Sequence, residues 1–312
     1  MSTLDMNNSS VTTESLFCFQ YTKHIIACQA TNIHNEPPGA IMIHRNLILL
    51  FLMTISSTML FANERLFSYT YQSNVLGKGQ REIEIWNTFH WQRDDFYRSF
   101  RHRIEYEVGL GGKLQTAFYL NLTNTTSLQG NGAAAFLENE TEFGFSNEWK
   151  FQMSDPVADA FGSALYAEIG LASNEFELEG KLILDKQTGS ALHAFNAVIE
   201  PEWKTIVENG KTATEFELKW EFDYGFSCAL NENWKLGIEL RNDNEYTKAE
   251  GWVYSALFGG PVISYSTEGF WITATVLPQL YAFRTEPGNT NKHRELVAHE
   301  QLETRLLFSY EL

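Results

Sequence analysis

The sequence predicts an all-β fold, namely a transmembrane, up-and-down antiparallel β-barrel of about twelve strands in residues 80–312. Three observations favour it: long segments of alternating apolar and charged residues, short turn-rich connectors after every second segment, and charges confined to one parity. The clearest segment is Thr214–Phe226, in which Trp220 and Phe222 have one parity and Glu217 the other. Side chains alternate faces along a strand, so this segment has one apolar-aromatic face and one ionised face.

Residues 42–62 look like a secretory signal peptide, with the basic Arg45, an apolar run and the small Ala62 at the cleavage point. The run is short for a transmembrane helix, so cleavage is favoured over retention as an anchor. Residues 1–41 show no periodicity. We expect translation to begin at Met42, which makes residues 1–41 a misassigned gene start or a disordered prefix.

Residues 63–79 are expected to form a periplasmic lead-in, or a strand tucked against the barrel, and they end in a glycine-punctuated corner. Twelve alternating segments follow it. Their approximate extents are 80–92, 98–109, 113–123, 140–153, 160–171, 175–186, 192–204, 213–228, 234–245, 252–266, 269–283 and 297–312.

The connectors give an independent test of the barrel, because outer-membrane barrels have short periplasmic turns and longer external loops. The connectors after the even-numbered segments are short and rich in turn formers: Gly109–Lys113, Asp155–Ala158, Lys186–Gly189, Ala229–Asn233 and Ser266–Gly269. The other set includes long connectors at Thr123–Glu138, Thr205–Ala213 and Arg284–Glu295. We therefore expect the short set, and both chain ends, on the periplasmic side.

The charged parity is expected to face the lumen, because a charge on the lipid face costs a few kcal/mol near the middle of the membrane. This assignment gives the candidate pore-lining residues, which are Glu82, Glu84, Arg101, Arg103, Glu105, Glu107, Glu177, Glu179, Lys181, Glu215, Glu217, Lys219, Glu221, Glu239, Arg241, Glu303 and Arg305.

Two kinds of lumen are compatible with these residues. The excess of carboxylates predicts a narrow, acid-lined channel for small solutes with a preference for cations. Alternatively, interlocking ion pairs fill the lumen and leave a closed structural or receptor barrel that acts through its external loops. Twelve strands enclose more room than the eight that side chains can just fill, so the sequence leaves both open.

The last strand places Leu306, Phe308, Tyr310 and Leu312 on the lipid side. It resembles the C-terminal signal by which bacterial outer-membrane proteins are recognised by the barrel assembly machinery, although the usual terminal Phe is replaced by Leu312.

More of the chain resembles a family of uncharacterised proteobacterial outer-membrane proteins. The similarity rests on Tyr69–Trp86, Glu177–Asp185 and Gly260–Tyr265 and extends over nearly all of 64–312, with Gly77 where proline is expected. It implies a porin-like barrel in the outer membrane of a Gram-negative bacterium, in contact with outer-membrane lipid, and it implies no reaction.

Other functions find little support. Outer-membrane phospholipase A, a twelve-stranded enzyme, needs a serine next to a histidine, and His90, His102, His193 and His299 have no serine two residues away on the same face. We therefore expect no enzyme. Metal sites and cofactors are not expected either, since paired carboxylates recur on almost every strand and no loop has regular calcium-ligand spacing. A net charge of -16 excludes nucleic acid as a partner, and three cysteines exclude a disulfide framework.

Overall fold

The structure is a computed structural model that describes residues 64–130, 132–208 and 210–312, without the side chain of Glu208. The expected prefix 1–41, signal peptide 42–62 and cleavage point lie outside the described residues. Within the described ranges, no helix combines the length and the apolar character needed to cross a bilayer.

Within the described residues, twelve antiparallel strands form one closed barrel in which each strand pairs with its neighbours in sequence, and the first pairs with the last. This confirms the predicted fold. The strands are β1 Arg81–Trp91, β2 Tyr97–Gly111, β3 Leu114–Gln129, β4 Phe136–Ser154, β5 Gly162–Ala172, β6 Glu175–Thr188, β7 Ala191–Glu208, β8 Lys211–Ala229, β9 Trp234–Thr247, β10 Gly251–Thr267, β11 Phe270–Arg284 and β12 Leu302–Glu311.

The alternation read from the sequence separates an apolar outer surface from a polar inner one. On β1, Glu82 and Glu84 are 1% and 0% exposed. On the outer parity, by contrast, Leu120 of β3 is 62% exposed and Phe222 of β8 is 48% exposed. Large apolar side chains that are exposed all around a closed barrel are what a lipid-facing surface requires.

The end of the barrel at which the even-numbered strands finish is called the turn end. The connectors there are residues 112–113, 155–161, 189–190, 230–233 and 268–269, and the start of β1 lies at this end beside the end of β12. The opposite end is called the loop end. Four of the five connectors predicted to be short have two to four residues, and the fifth, residues 155–161, has seven. Short connectors also occur at the loop end, at residues 173–174 and 248–250.

Two of the predicted long loops are wrong, because the strands continue through them. β3 and β4 have 16 and 19 residues, and β7 and β8 have 18 and 19. The ladder continues through polar cross-strand bonds, such as Asn139 Nδ2 to Thr126 Oγ1 at 2.8 Å and Asn124 Nδ2 to Thr141 Oγ1 at 2.9 Å. A strand needs roughly 9–11 residues to cross a bilayer, so both hairpins extend well past a membrane's thickness.

The last strand begins at Leu302 and not at residue 297, and the connector before it is the longest at the loop end. Local hydrogen bonds explain the difference. The carboxylate of Glu295 accepts the backbone N–H of Val297 at 2.8 Å, and the Gln279 side-chain amide donates to the Glu295 carbonyl at 2.8 Å. These bonds fold residues 285–301 against the barrel, and Glu295 is fully buried.

Candidate functional site

Residues 64–76, called the lumen segment, run through the barrel interior and largely determine what the interior can do. The segment forms no strand, yet Phe67, Tyr69, Tyr71 and Leu76 are at most 8% exposed. Its backbone polar groups therefore need partners other than a β-ladder, and those partners are side chains of the barrel wall.

Glu239 of β9 is the main anchor of the lumen segment. Its carboxylate accepts the backbone N–H groups of Tyr69 and Thr70 at 2.7 Å each, and of Ser68 at 3.2 Å. The Ser68 hydroxyl donates to the same carboxylate at 3.1 Å. Hydrogen bonds to an ionised acceptor are the strong ones, so a single wall residue holds three consecutive residues of the segment.

Tyr69 extends the contact to the other side of the interior. Its hydroxyl donates to Glu303 of β12 at 2.6 Å, and the Arg305 guanidinium lies 3.5 Å from the centre of its ring. Arg305 also donates to the carbonyl of Ser68 at 3.0 Å. Glu303 in turn accepts from Arg241 at 3.0 Å, so the segment, β9 and β12 are joined in one network.

Three wall residues that the sequence did not single out also hold the segment. Asn196 accepts the N–H of Tyr71 at 2.6 Å and donates back to its carbonyl at 3.0 Å. Asp185 accepts the N–H of Ser73 at 2.9 Å, and Gln115 accepts the N–H of Leu76 at 2.9 Å. The sequence feature that could have identified them is a single polar residue among small or apolar neighbours on the inward-facing parity of a strand. Asn196, two residues after Ala194, is an example.

The inward parity also carries bulky apolar side chains, so the interior is more than an acidic lining. Tyr71 packs in a buried cluster whose wall members include Trp86, Tyr166 and Trp271. The Arg65 guanidinium lies 4.0 Å from the Tyr71 ring centre and 4.4 Å from that of Trp86. Such cation–π contacts and apolar burial favour a segment that stays inside the barrel.

One glycine provides the room that the segment needs. A Cβ atom at Gly225 of β8 would lie 2.7 Å from ring carbons of Phe67, well inside van der Waals contact. The position therefore needs glycine because the Phe67 ring approaches the strand backbone closely.

On β7, β8 and β9 six interior charges form ion pairs, and these residues, Glu202, Lys204, Glu217, Lys219, Glu221 and Arg241, are called the paired cluster. Lys204 Nζ lies 2.6 Å from Glu217 and 2.8 Å from Glu202, which also contacts Lys219. Arg241 lies 2.5 Å from Glu221 and 2.9 Å from Asp243. Each cation is thus held by at least two carboxylates.

On β1, β2 and β4 the charges are mostly of one sign, and Glu82, Glu84, Glu105, Glu107 and Glu148 are called the acidic cluster. All five are at most 4% exposed. In the register of β1 and β2, Glu82 lies opposite Glu107 and Glu84 opposite Glu105. Like charges directly opposite each other in a sheet are destabilising, so this part of the interior needs positive charge from elsewhere.

The seventeen candidate residues fall into three groups by accessibility. Six are buried, and ten are partly accessible. Arg101 is exposed towards the loop end, where its charge interacts with those of Glu300 and Glu303. The buried candidates are Glu82, Glu84, Glu105, Glu107, Glu239 and Glu303; the partly accessible ones are Arg103, Glu177, Glu179, Lys181, Glu215, Glu217, Lys219, Glu221, Arg241 and Arg305. Their role as pore lining remains a prediction.

Two histidines meet carboxylates near the loop end. His90 contacts Glu300 through Nδ1, and His299 Nε2 lies 3.5 Å from Asp243. Burial lowers the pKa of His299 to about 3, which keeps its imidazole neutral at neutral pH. Within residues 64–130, 132–208 and 210–312, no hydrogen bond joins an imidazole to a serine hydroxyl, the pair that a phospholipase would use.

Three solved structures illustrate what the fold is similar to. The COG4313 outer membrane channel from Pseudomonas putida F1 aligns with a TM-score of 0.53 at 8% identity, over 77% of this chain and 98% of that chain. The NanC porin aligns with a TM-score of 0.46 at 11% identity, over 74% and 100%. The β domain of the Bordetella autotransporter BrkA aligns with a TM-score of 0.49 at 10% identity, over 75% and 100%.

Of these three likenesses, the first supports the barrel fold, and at such low identity it bears on the fold alone. No curated protein matches the sequence. A family profile described as "Family of unknown function (DUF6662)" matches residues 59–312. Because this match spans most of the chain, the protein belongs to the DUF6662 family.

Proposed function

We propose that this protein is a channel in the outer membrane of a Gram-negative bacterium, where it passes small solutes with a preference for cations. The closed barrel, its apolar outer surface and the likeness to an outer membrane channel support this function. The preference for cations follows from the excess of carboxylates in the interior, since rings of acidic side chains favour cations in other pores.

The route to the membrane is part of the proposal. Export by a signal peptide at 42–62 precedes recognition of the last strand by the barrel assembly machinery. On that strand Leu306 and Tyr310 are 36% and 61% exposed, and Leu312 beyond it is 62% exposed. This outward apolar row is the feature that the assembly signal requires, and outer-membrane lipid is the environment that it fits.

The observation that carries the mechanism is the lumen segment. It enters near the turn end, where Glu64 pairs with Lys235 at 2.5 Å, and it returns there through Gly79, whose N–H donates to the Gly109 carbonyl at 2.8 Å. Between these points Glu239 and Asn196 hold it across the interior. The segment therefore narrows the channel, and conduction depends on how firmly these two side chains hold it.

Single-channel recording of the purified protein in a planar bilayer, with a potassium chloride gradient, tests this proposal. We expect a small conductance with a cation-selective reversal potential. The double variant Glu239→Gln with Asn196→Ala should conduct more, with selectivity of the same sign, because the segment loses its strongest acceptor and its backbone clamp.

The matched control is Glu140→Gln, which makes the same change of charge on an exposed residue of β4 and should conduct like the wild type. Heat-modifiable gel mobility verifies that each barrel is folded. If the wild type and the double variant are both silent while folded, the channel proposal is wrong.

A closed structural or receptor barrel is the second candidate, and the projecting hairpins favour it. The β3–β4 and β7–β8 hairpins extend beyond the length that a bilayer requires, and they present exposed apolar residues such as Leu137 and Val207. On this reading the lumen segment and the ion pairs seal the interior permanently. Silent recordings from folded protein would support it.

A further inference from the structure

The acidic cluster is the largest group of interior charges that the channel proposal does not explain. Its side chains converge. One ligand atom from each of Glu82, Glu84 and Glu107 lies within 4.8 Å of the other two. The same holds for Glu105, Glu107 and Glu148, so Glu107 belongs to both groups.

The positive charge beside this cluster does not balance it. The Arg65 guanidinium of the lumen segment lies 3.8 Å from Glu84, and it is shared with the rings of Tyr71 and Trp86. The Lys150 ammonium interacts electrostatically with Glu148 and Glu107. Five carboxylates thus face one guanidinium and one ammonium in a region that water hardly reaches.

Several of these carboxylates also keep an oxygen without a partner. Among the residues that the structure describes, Glu82 Oε2, Glu84 Oε1 and Glu148 Oε1 accept no hydrogen bond. The three side chains are 1%, 0% and 0% exposed. An unpaired carboxylate oxygen that is removed from water is costly, so these atoms call for a cation or a proton as their partner.

We propose that the acidic cluster binds a divalent cation of the calcium type inside the barrel, with Glu82, Glu84 and Glu107 as its core ligands. All the donors are carboxylate oxygens, which suit hard cations and exclude sites built for softer metals. Calcium fits better than magnesium because it accepts six to eight oxygens in flexible geometry, whereas magnesium needs a near-ideal octahedron.

The ion would neutralise the like-charge pairs between β1 and β2, and it would lie beside Arg65 at the edge of the lumen segment. This site goes beyond passive conduction and differs from the sequence-based expectation of no metal. Nothing in the sequence singles out this cluster, because pairs of glutamates recur on most strands and only the fold brings the compensating cations beside them.

Equilibrium binding of radioactive calcium to the purified, folded protein in detergent micelles tests the proposal. The wild type should bind calcium in stoichiometric amount, and the double variant Glu84→Gln with Glu107→Gln should bind it at least about tenfold more weakly, since two direct ligands lose their charge. Glu140→Gln is the matched control, because it lies on the same strand and parity as Glu148, roughly 27 Å away. It should bind like the wild type.

Heat-modifiable mobility confirms that the variants are folded, and the single variant Glu107→Gln replaces the double variant if the latter does not fold. The proposal is wrong if the wild type binds no calcium, or if the wild type and the variant bind it equally. Protons would then neutralise the carboxylates. Because the measurement needs no current, a barrel that fails to conduct can still bind calcium, and the two proposals fail separately.

Discussion

The paired cluster and the acidic cluster lie on the inner face of one barrel, and they differ in the cations beside their carboxylates. Glutamate lies opposite glutamate in both, with Glu202 opposite Glu217 between β7 and β8 and Glu82 opposite Glu107 between β1 and β2. The register also sets Lys204 opposite Glu215 and Lys219 opposite Glu200, so the first pair has a lysine on either side. A charge pattern along single strands therefore does not decide whether a pair of carboxylates is compensated. The neighbours that the register supplies do.

The two clusters also relate differently to the lumen segment. Arg241 of the paired cluster joins it through Glu303 and Tyr69, so that side of the wall holds the segment by hydrogen bonds. The acidic cluster meets it through Arg65, a single guanidinium. We therefore expect the wall at the paired cluster to be rigid, because its carboxylates already have cations as partners. The wall at the acidic cluster should instead respond to added cations.

The largest expected effect is on the paired cluster. Arg241→Met removes the cation that contacts Glu221, Asp243 and Glu303, and the free energy of unfolding should fall by about 3–5 kcal/mol because buried carboxylates lose their partner. Urea unfolding in lipid vesicles, followed by tryptophan fluorescence, measures it. The control Arg98→Met removes an exposed guanidinium at the loop end and should cost less than about 1 kcal/mol. Equal losses of unfolding free energy in the two variants would show that burial of the Arg241 ion pairs contributes nothing to stability.

A charge placed on the outer surface should lower the free energy of unfolding by a similar amount on both sides of the barrel. Phe222→Arg on β8 and Leu120→Arg on β3 place a charge on the lipid face, and each should lower the free energy of unfolding by about 2–4 kcal/mol. The same unfolding assay applies, with Phe222→Leu and Leu120→Phe as apolar controls near zero. Tolerance of either arginine would mean that its strand does not face lipid.

Replacing one glutamate by glutamine in each cluster should change the free energy of unfolding in opposite directions. Glu202→Gln removes the carboxylate shared by Lys204 and Lys219 and should destabilise by about 1.5–3 kcal/mol. Glu105→Gln relieves a like-charge pair with Glu84 and should stabilise by about 0.2–1 kcal/mol when a chelator is present. Unfolding of both variants with and without calcium provides the measurement. If both variants are less stable than the wild type when a chelator is present, the distinction between the two clusters is wrong.

A further small effect is expected outside both clusters, in the turn between β4 and β5. The carboxylate of Asp155 accepts the N–H groups of Ala158 and Val157 at 2.8 Å each, and these bonds lower its pKa below the ordinary 3.8. A lowered pKa stabilises the folded state above the ordinary value, and this contribution is lost as the pH falls through the folded pKa.

Asp155→Ala should therefore cost less than about 1.5 kcal/mol at neutral pH, and the difference from the wild type should vanish well below pH 3.8. The exposed Asp159→Ala, which removes a single bond to the Asp155 N–H, serves as a comparison. A difference that is independent of pH would show that the charge of Asp155 is irrelevant.

Much of this molecule could be predicted from single residues and their parity. Alternation assigned the strand number and the inward and outward faces, and turn-forming residues assigned most of the short connectors at the turn end. It failed at β3, β4, β7 and β8, because polar threonines and asparagines beyond the membrane zone pair across strands and carry no hydrophobic signal. It also missed Asn196, Asp185 and Gln115, since their function is to bind a segment that is distant in sequence.

The sequence by itself determined a closed sheet with a charged interior, because a period of two forces each strand to divide apolar from ionised residues. Only the tertiary structure decided that residues 64–76 occupy this interior and that Glu202, Glu217 and Glu221 near β8 meet lysine or arginine side chains while the acidic cluster near β1 meets few. These properties depend on register and on contacts across the barrel, such as Tyr69 to Glu303 and Arg65 to Glu84. No local pattern encodes them, because the partners are brought together only when the barrel closes.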